Sequence, residues 1–150
     1  MVKWISKISW GKVLLIGLIY TVIGMVAHQV ELLWTMKYYL MPQYSGVWSR
    51  LMMPTAGPPP TEFMIVSTIM TFTTGISIAI IYNYLMEYLP KGYWKRATYF
   101  ADLMASASLV LFTFPVYLLF NVPLGLLGYW FASTFVIFVL TSFAIVKILK

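Results

Sequence analysis

The chain contains no cysteine and one histidine, His28. Disulfides, thiolate nucleophiles, cysteine-ligated zinc and iron–sulfur clusters are therefore excluded, as is a haem held by two histidines. Acidic residues are nearly as scarce: Glu31, Glu62, Glu87 and Asp102 are all there are. A zinc site needs three or four donors, and only Glu62 stands where it could join His28 and Glu31. A soft-metal variant would recruit Met25, Met36, Met41, Met52, Met53 or Met64, whose thioethers suit Cu(I). Methionine is equally an ordinary flexible filler, so neither a metal nor a cofactor is expected. The nine glycines are scattered and form no phosphate-cradling loop. No pair of acids offers the arrangement of a glycosidase.

Charge is the largest deficit. Asp, Glu, Lys and Arg make up 9% of 150 residues and hydrophobic residues 61%, with mean hydropathy +0.86. Soluble domains carry about 25% charged residues, and a globule of this size cannot hide so much apolar surface from water. Lipid must be the solvent for much of it. Four apolar runs, at about 13–34, 63–86, 99–120 and 124–146, match the ~20 helical residues that cross a bilayer core. Lipid offers no partner for bare backbone groups, so such runs form helices. No alternating ten-residue strands of a β-barrel appear. The expectation is an all-α, single-domain, integral membrane four-helix bundle.

The ten basic residues set its orientation. Lys3, Lys7, Lys12, Lys91, Lys95, Arg96, Lys147 and Lys150 fall on one side; Lys37 and Arg50 fall on the other. By the positive-inside rule both termini are cytoplasmic, in a cell membrane. Trp4, Trp10 and Trp94 mark the inner boundary, and Trp34, Trp48 and Trp130 the outer one, where amphipathic rings prefer to sit. Tyr84, Tyr88 and Tyr93 join the inner belt; Tyr38, Tyr39, Tyr44 and Tyr117 join the outer. The net charge of +6 lies in short clusters beside the runs, without the basic stripe that nucleic acid requires. An N-terminal basic region followed by an apolar core also has the shape of a signal peptide, but Met25-Val26-Ala27 is a poor cleavage site, which favours an uncleaved first helix.

The sizeable loop is 35–61. Tyr44, Val47, Trp48, Leu51 and Met52 recur at helical spacing opposite Ser45, Ser49 and Arg50, predicting a short amphipathic helix in the outer interface between Pro42 and Pro54. Gly57-Pro58-Pro59-Pro60 reads as a stiff extended link. Thr61 is the expected N-cap of the second span, with Glu62 placed against the helix dipole. Pro115 should kink the third span and leave the carbonyl near Leu111 in need of a partner.

Within the first span, Gly17, Thr21, Gly24, His28 and Glu31 share one face. Gly17, Thr21 and Gly24 suit a helix-packing seam. His28 and Glu31, at i,i+3, are close enough to interact. Ionisable residues at membrane depth are costly, so a proton relay or a metal pair stands against a plainer reading. In that reading His28 bonds Glu31 or a hydroxyl across the seam, and Glu31 reaches the headgroups. Asp102 is expected to meet Lys95, Arg96, Ser106 or Asn83. Span two (Ser67, Thr71, Thr74, Gly75) and span four (Ser133, Thr134, Thr141, Ser142) carry small and hydroxylic residues suited to helix contacts. A Ser-His-Asp set would need His28 beside Asp102, but the spans put them near opposite faces.

These features lead first to a non-enzymatic accessory or structural subunit of a membrane assembly, or a homo-oligomer, with lipid and other membrane subunits as partners and no nucleic acid. A small oligomeric transporter or channel using the polar face of the first span is one alternative. A membrane enzyme acting on lipid at the outer interface, with His28 as base, is another.

Overall fold

The computed structural model describes residues 9–48, 51–53 and 58–149. All regular structure among them is helical, and four helices are long and apolar enough to cross a membrane. They are α1 (Trp10–Tyr39), α2 (Thr61–Leu85), α3 (Tyr93–Leu119) and α4 (Leu124–Ile148). Each apolar run falls on one helix, the second and third ending one residue beyond it. Lys3, Lys7, Arg50 and Lys150 lie outside the described residues.

The helices mostly outrun the apolar stretches because interfacial polar residues stay helical until something stops them. α1 continues through Lys37 to Tyr39. It ends where Met41, held extended (φ −75°, ψ 119°), precedes Pro42, as the residue before proline prefers. The loop helix departs from expectation. Pro42–Val47 form a six-residue 3-10 helix that closes at an extended Trp48. The expected amphipathic turn over Tyr44–Met52 is not continued, and Ser49, Arg50, Pro54 and Gly57 lie outside the described residues.

Thr61 is the first residue of α2 and not its N-cap. Pro60, at φ −71° and ψ 165°, takes the cap position, and its carbonyl accepts the Met64 N–H at 3.2 Å. That is the first bond of the helix itself, and no side chain caps the N–H groups of the first turn. Glu62 does sit in the first turn.

α3 begins six residues before position 99. Gly92, at φ +104°, turns the chain into it, and Arg96 Nε donates to the Pro90 carbonyl at 3.2 Å, tying the turn to the first coil. Pro115 does disturb α3, through a π-helical stretch at Leu109–Thr113. There the Phe114 N–H reaches back five residues to the Leu109 carbonyl. Proline lacks an N–H and its ring crowds the carbonyl four residues earlier; a widened turn relieves both problems just upstream.

α1 packs against α2 and α4, and α3 packs against α4, giving the spatial order α2–α1–α4–α3. α2 and α3 make little backbone approach. They meet through Tyr82 and Phe100, edge to face at 5.2 Å between ring centroids. α1 and α2 cross closely where Gly17 and Gly75 face each other. The apolar core (Val13, Ile16, Tyr20, Ile78, Ala79, Tyr82, Phe100, Ile145) occupies the half of the bundle next to the start of α1 and the end of α4. The other half, below the α1–α2 connection, is called the loop end here.

Candidate functional site

The loop end is where the polar residues of α1 find their partners. Glu31 is 6% exposed, turned inward. Its Oε2 accepts from Ser133 Oγ of α4 at 2.7 Å and lies 3.1 Å from His28 Nδ1. A carboxylate only accepts, so Nδ1 carries the hydrogen and Nε2 is left facing away from Glu31. The His28 side chain is 56% exposed. Thr35, also buried, donates to the Glu31 carbonyl at 3.1 Å. Of the two plain expectations, the His28–Glu31 contact is present, but Glu31 does not reach out to headgroups. A second helix completes the cluster.

Ser133 and Trp130 are one turn apart on α4, and the serine hydroxyl also lies 3.1 Å from the Trp130 carbonyl. Trp130 Nε1 donates to Tyr39 Oη at 2.9 Å. Trp48 lies against both rings, 4.8 Å from Tyr39 and 6.3 Å from Trp130 by centroid. This aromatic cluster ties the end of α1 to the start of α4 and to the connection above them. The sequence placed all three rings at one boundary but could not show that they touch.

Beside this cluster lies a cavity of about 800 Å³, within the ~300–1,000 Å³ of small-molecule sites. α1 supplies Met25, His28, Glu31 and Met36 to it; α2 supplies Phe63, Met64, Ser67, Thr68 and Thr71. Trp130 and Thr134 of α4 form another wall, and Met52, Met53, Pro58 and Pro59 border it from the connection. From α3 only Phe112 reaches it, a residue of the π-helical stretch. The cavity exists because α2 and α3, closed by Tyr82 and Phe100 at one end, do not pack together at the other.

The remaining expected residues fall elsewhere. Gly17, Thr21 and Gly24 are buried between α1 and its neighbours. A methyl on Gly24 would lie 3.5 Å from Thr71 Cγ2. Thr21 bonds its own helix at Gly17 O, at 2.9 Å, and not a neighbour. The α2 hydroxyls do likewise: Ser67, Thr71 and Thr74 donate to carbonyls one turn back. Pro115 does not line the cavity. Asp102 is exposed and makes no hydrogen bond or ion pair with Lys95, Arg96, Ser106 or Asn83. It borders a shallow depression between α3 and α4 with Ser106, Leu109, Phe131 and Phe135. Asn83 bonds Ala79 O instead, at 2.9 Å. Among the described residues, no three His, Asp or Glu side chains gather as a metal would require.

Comparison with protein-family models, curated proteins and solved structures finds no match.

Proposed function

We propose that this chain is a non-enzymatic membrane protein that holds one amphiphilic molecule at the loop end of its bundle. The polar part of that molecule sits at His28 and Glu31, whose carboxylate Ser133 bonds. Its apolar part lies along Met25, Met64 and Phe112 and leaves between α2 and α3. The observation that carries this reading is the 800 Å³ cavity itself, with His28, Glu31 and the hydroxyls of Ser67, Thr68 and Thr71 on its wall and the apolar Met64 and Phe112 where α2 and α3 fail to close. A cavity with a few convergent polar groups in an apolar wall is the usual form of a ligand site, and an opening between helices admits a ligand from the bilayer.

In this reading the chain spans a cell membrane with both termini cytoplasmic, supported by the eight-to-two distribution of Lys and Arg. The loop end and its cavity then belong to the outer leaflet. The 3-10 helix Pro42–Val47 and the Tyr39–Trp48–Trp130 cluster lie at headgroup depth, where such rings favour the interface.

The test is photolabelling in bicelles with an uncharged, hydroxyl-headed amphiphile carrying a diazirine in its chain. Label concentrated on α1 around 25–36 and α2 around 63–71 supports the reading. Label spread evenly over all exposed apolar faces sinks it.

One observation favours a second role, as an accessory subunit. Asp102 stands ten residues into α3 without a partner among the described residues, on the least buried of the four helices. An unpaired carboxylate on a membrane-facing surface is costly, and a neighbouring subunit with a donor would relieve it. Gentle-detergent purification distinguishes the cases. A particle with additional chains that is lost in Asp102→Leu supports the subunit role; a bare single chain excludes it.

A further inference from the structure

The hydrogen bonds around the cavity also select the chemistry of the headgroup, an inference that rests on the amphiphile-binding reading. The hydroxyls of Thr21, Ser67, Thr68 and Thr71 all line the cavity. Each commits its hydrogen to a carbonyl of its own helix, at 2.9, 3.1, 2.7 and 2.8 Å. What such a hydroxyl still offers is an oxygen lone pair. Ser133 is also committed, to Glu31 and the Trp130 carbonyl, and the Trp130 N–H is taken by Tyr39. Glu31 contributes a carboxylate, and His28, with Nδ1 turned to that carboxylate, offers an accepting Nε2 in its neutral form.

Donors are few by comparison. Gln29 and the hydroxyls of Tyr39 and Thr134 are the side-chain donors that remain on the lining. Among the described residues no Lys or Arg lines the cavity; Lys37 lies over the Tyr38 ring instead, 5.1 Å from its centroid. The backbone N–H groups of α1 and α4 on the lining are held inside their helices, whereas the first turn of α2, where Phe63 lines the cavity, has no side-chain cap. A phosphate or carboxylate headgroup would bring more acceptors, and negative charge, to a wall of acceptors that includes a carboxylate. A protonated amine would bring N–H donors and the opposite charge, and charge-assisted bonds of that kind are the strong ones.

We infer that the cavity takes an amphiphile headed by a protonated primary amine and discriminates against phosphate. The single carboxylate of Glu31 sets the sign of that preference. The acceptor-only hydroxyls of α2 reinforce it.

The experiment competes the hydroxyl-headed photolabel with amphiphiles of one chain length that carry an amine, a phosphate or a hydroxyl. Butylamine is added as an amine without a long chain. The amine amphiphile should displace the label at least about tenfold more effectively than the phosphate, the scale of a hydrogen bond to a charged group. Glu31→Gln should collapse that ratio while the hydroxyl amphiphile still competes, and Thr68→Val should reduce it partially. Butylamine should compete weakly. Phosphate and amine displacing the label equally would overturn the inference and leave the cavity reading standing, as would an unchanged ratio in both variants. Equal competition by butylamine would also overturn it, since the chain would then play no part. Failure of the label to map to the cavity is the separate failure of the underlying reading.

Discussion

Gly75→Ala should be the most damaging single-methyl addition in the bundle, and its size follows from the α1–α2 crossing. A methyl built on Gly75 would lie 2.7 Å from Tyr20 Cβ and 2.9 Å from Gly17 Cα. Carbon atoms sit comfortably at about 3.5–4.0 Å, so α1 and α2 would have to separate by several tenths of an ångström or more. Neither obstructing atom can swing aside: one is backbone and the other is the first atom of its side chain. Overpacking of this kind costs about 1–3 kcal/mol, roughly 5- to 150-fold in the folded-to-unfolded ratio. Gly17→Ala should cost less. Its methyl would meet the Phe72 ring at 2.9 Å and Ile76 Cγ1 at 3.0 Å, and side-chain ends can tilt away. Gly128→Ala meets nothing within 4 Å and should be neutral, or stabilising by up to about 1 kcal/mol through helix propensity. The assay is dodecyl sulfate titration in mixed micelles, followed by circular dichroism. Coincident midpoints for Gly75→Ala and Gly128→Ala would refute the crossing on which the fold is built.

Glu31→Ala removes the carboxylate that Ser133 and His28 share, leaves Ser133 the Trp130 carbonyl, and should destabilise by about 0.5–1.5 kcal/mol in the same titration. Ser133→Ala should cost less, and the double variant should cost less than the sum of the two. Tyr39→Phe removes the acceptor of Trp130 Nε1 and should cost about 0.5–1.5 kcal/mol, with a shift in tryptophan emission that Tyr117→Phe does not produce. Pro115→Ala should change the midpoint by less than about 1 kcal/mol, because the π-helical stretch already relieves what a mid-helix proline otherwise costs, about 3 kcal/mol. A large gain in Pro115→Ala would mean that the widened turn is strained. The absence of native cysteine makes Met41→Cys and Lys95→Cys background-free reporters of orientation. An impermeant maleimide should label the first in intact cells and the second only after lysis.

The four helices were legible because length and apolarity alone compel them. Their ends were less so: Lys37 through Tyr39 and Tyr93 through Thr98 are polar or aromatic enough to look like loop, yet they continue the helix. The spatial order α2–α1–α4–α3 left no trace in the chain, because a small-residue seam such as Gly17, Thr21 and Gly24 marks a packed face but not which helix packs on it. For the same reason Ser133 could be named only as one of several hydroxyls, not as the partner of a glutamate 102 residues away. Pro115 announced a disturbance in α3, and the π-helical form it took depends on how the backbone escapes the proline ring. The loop helix was read from spacing that a 3-10 turn satisfies only briefly. Asp102 was assigned partners by sequence proximity (Lys95, Arg96, Ser106) and by depth in the bundle (Asn83), whereas α3 turns it toward the α3–α4 groove.

The measurement that bears most directly on the cavity as a ligand site is the native mass of the purified chain, beside that of a Ser67→Phe, Thr71→Phe variant whose two added rings obstruct the space. The wild-type chain is expected to carry one amphiphile, and the variant, folded by circular dichroism, to carry none. Bare mass for both, or the same adduct on both, would contradict the account.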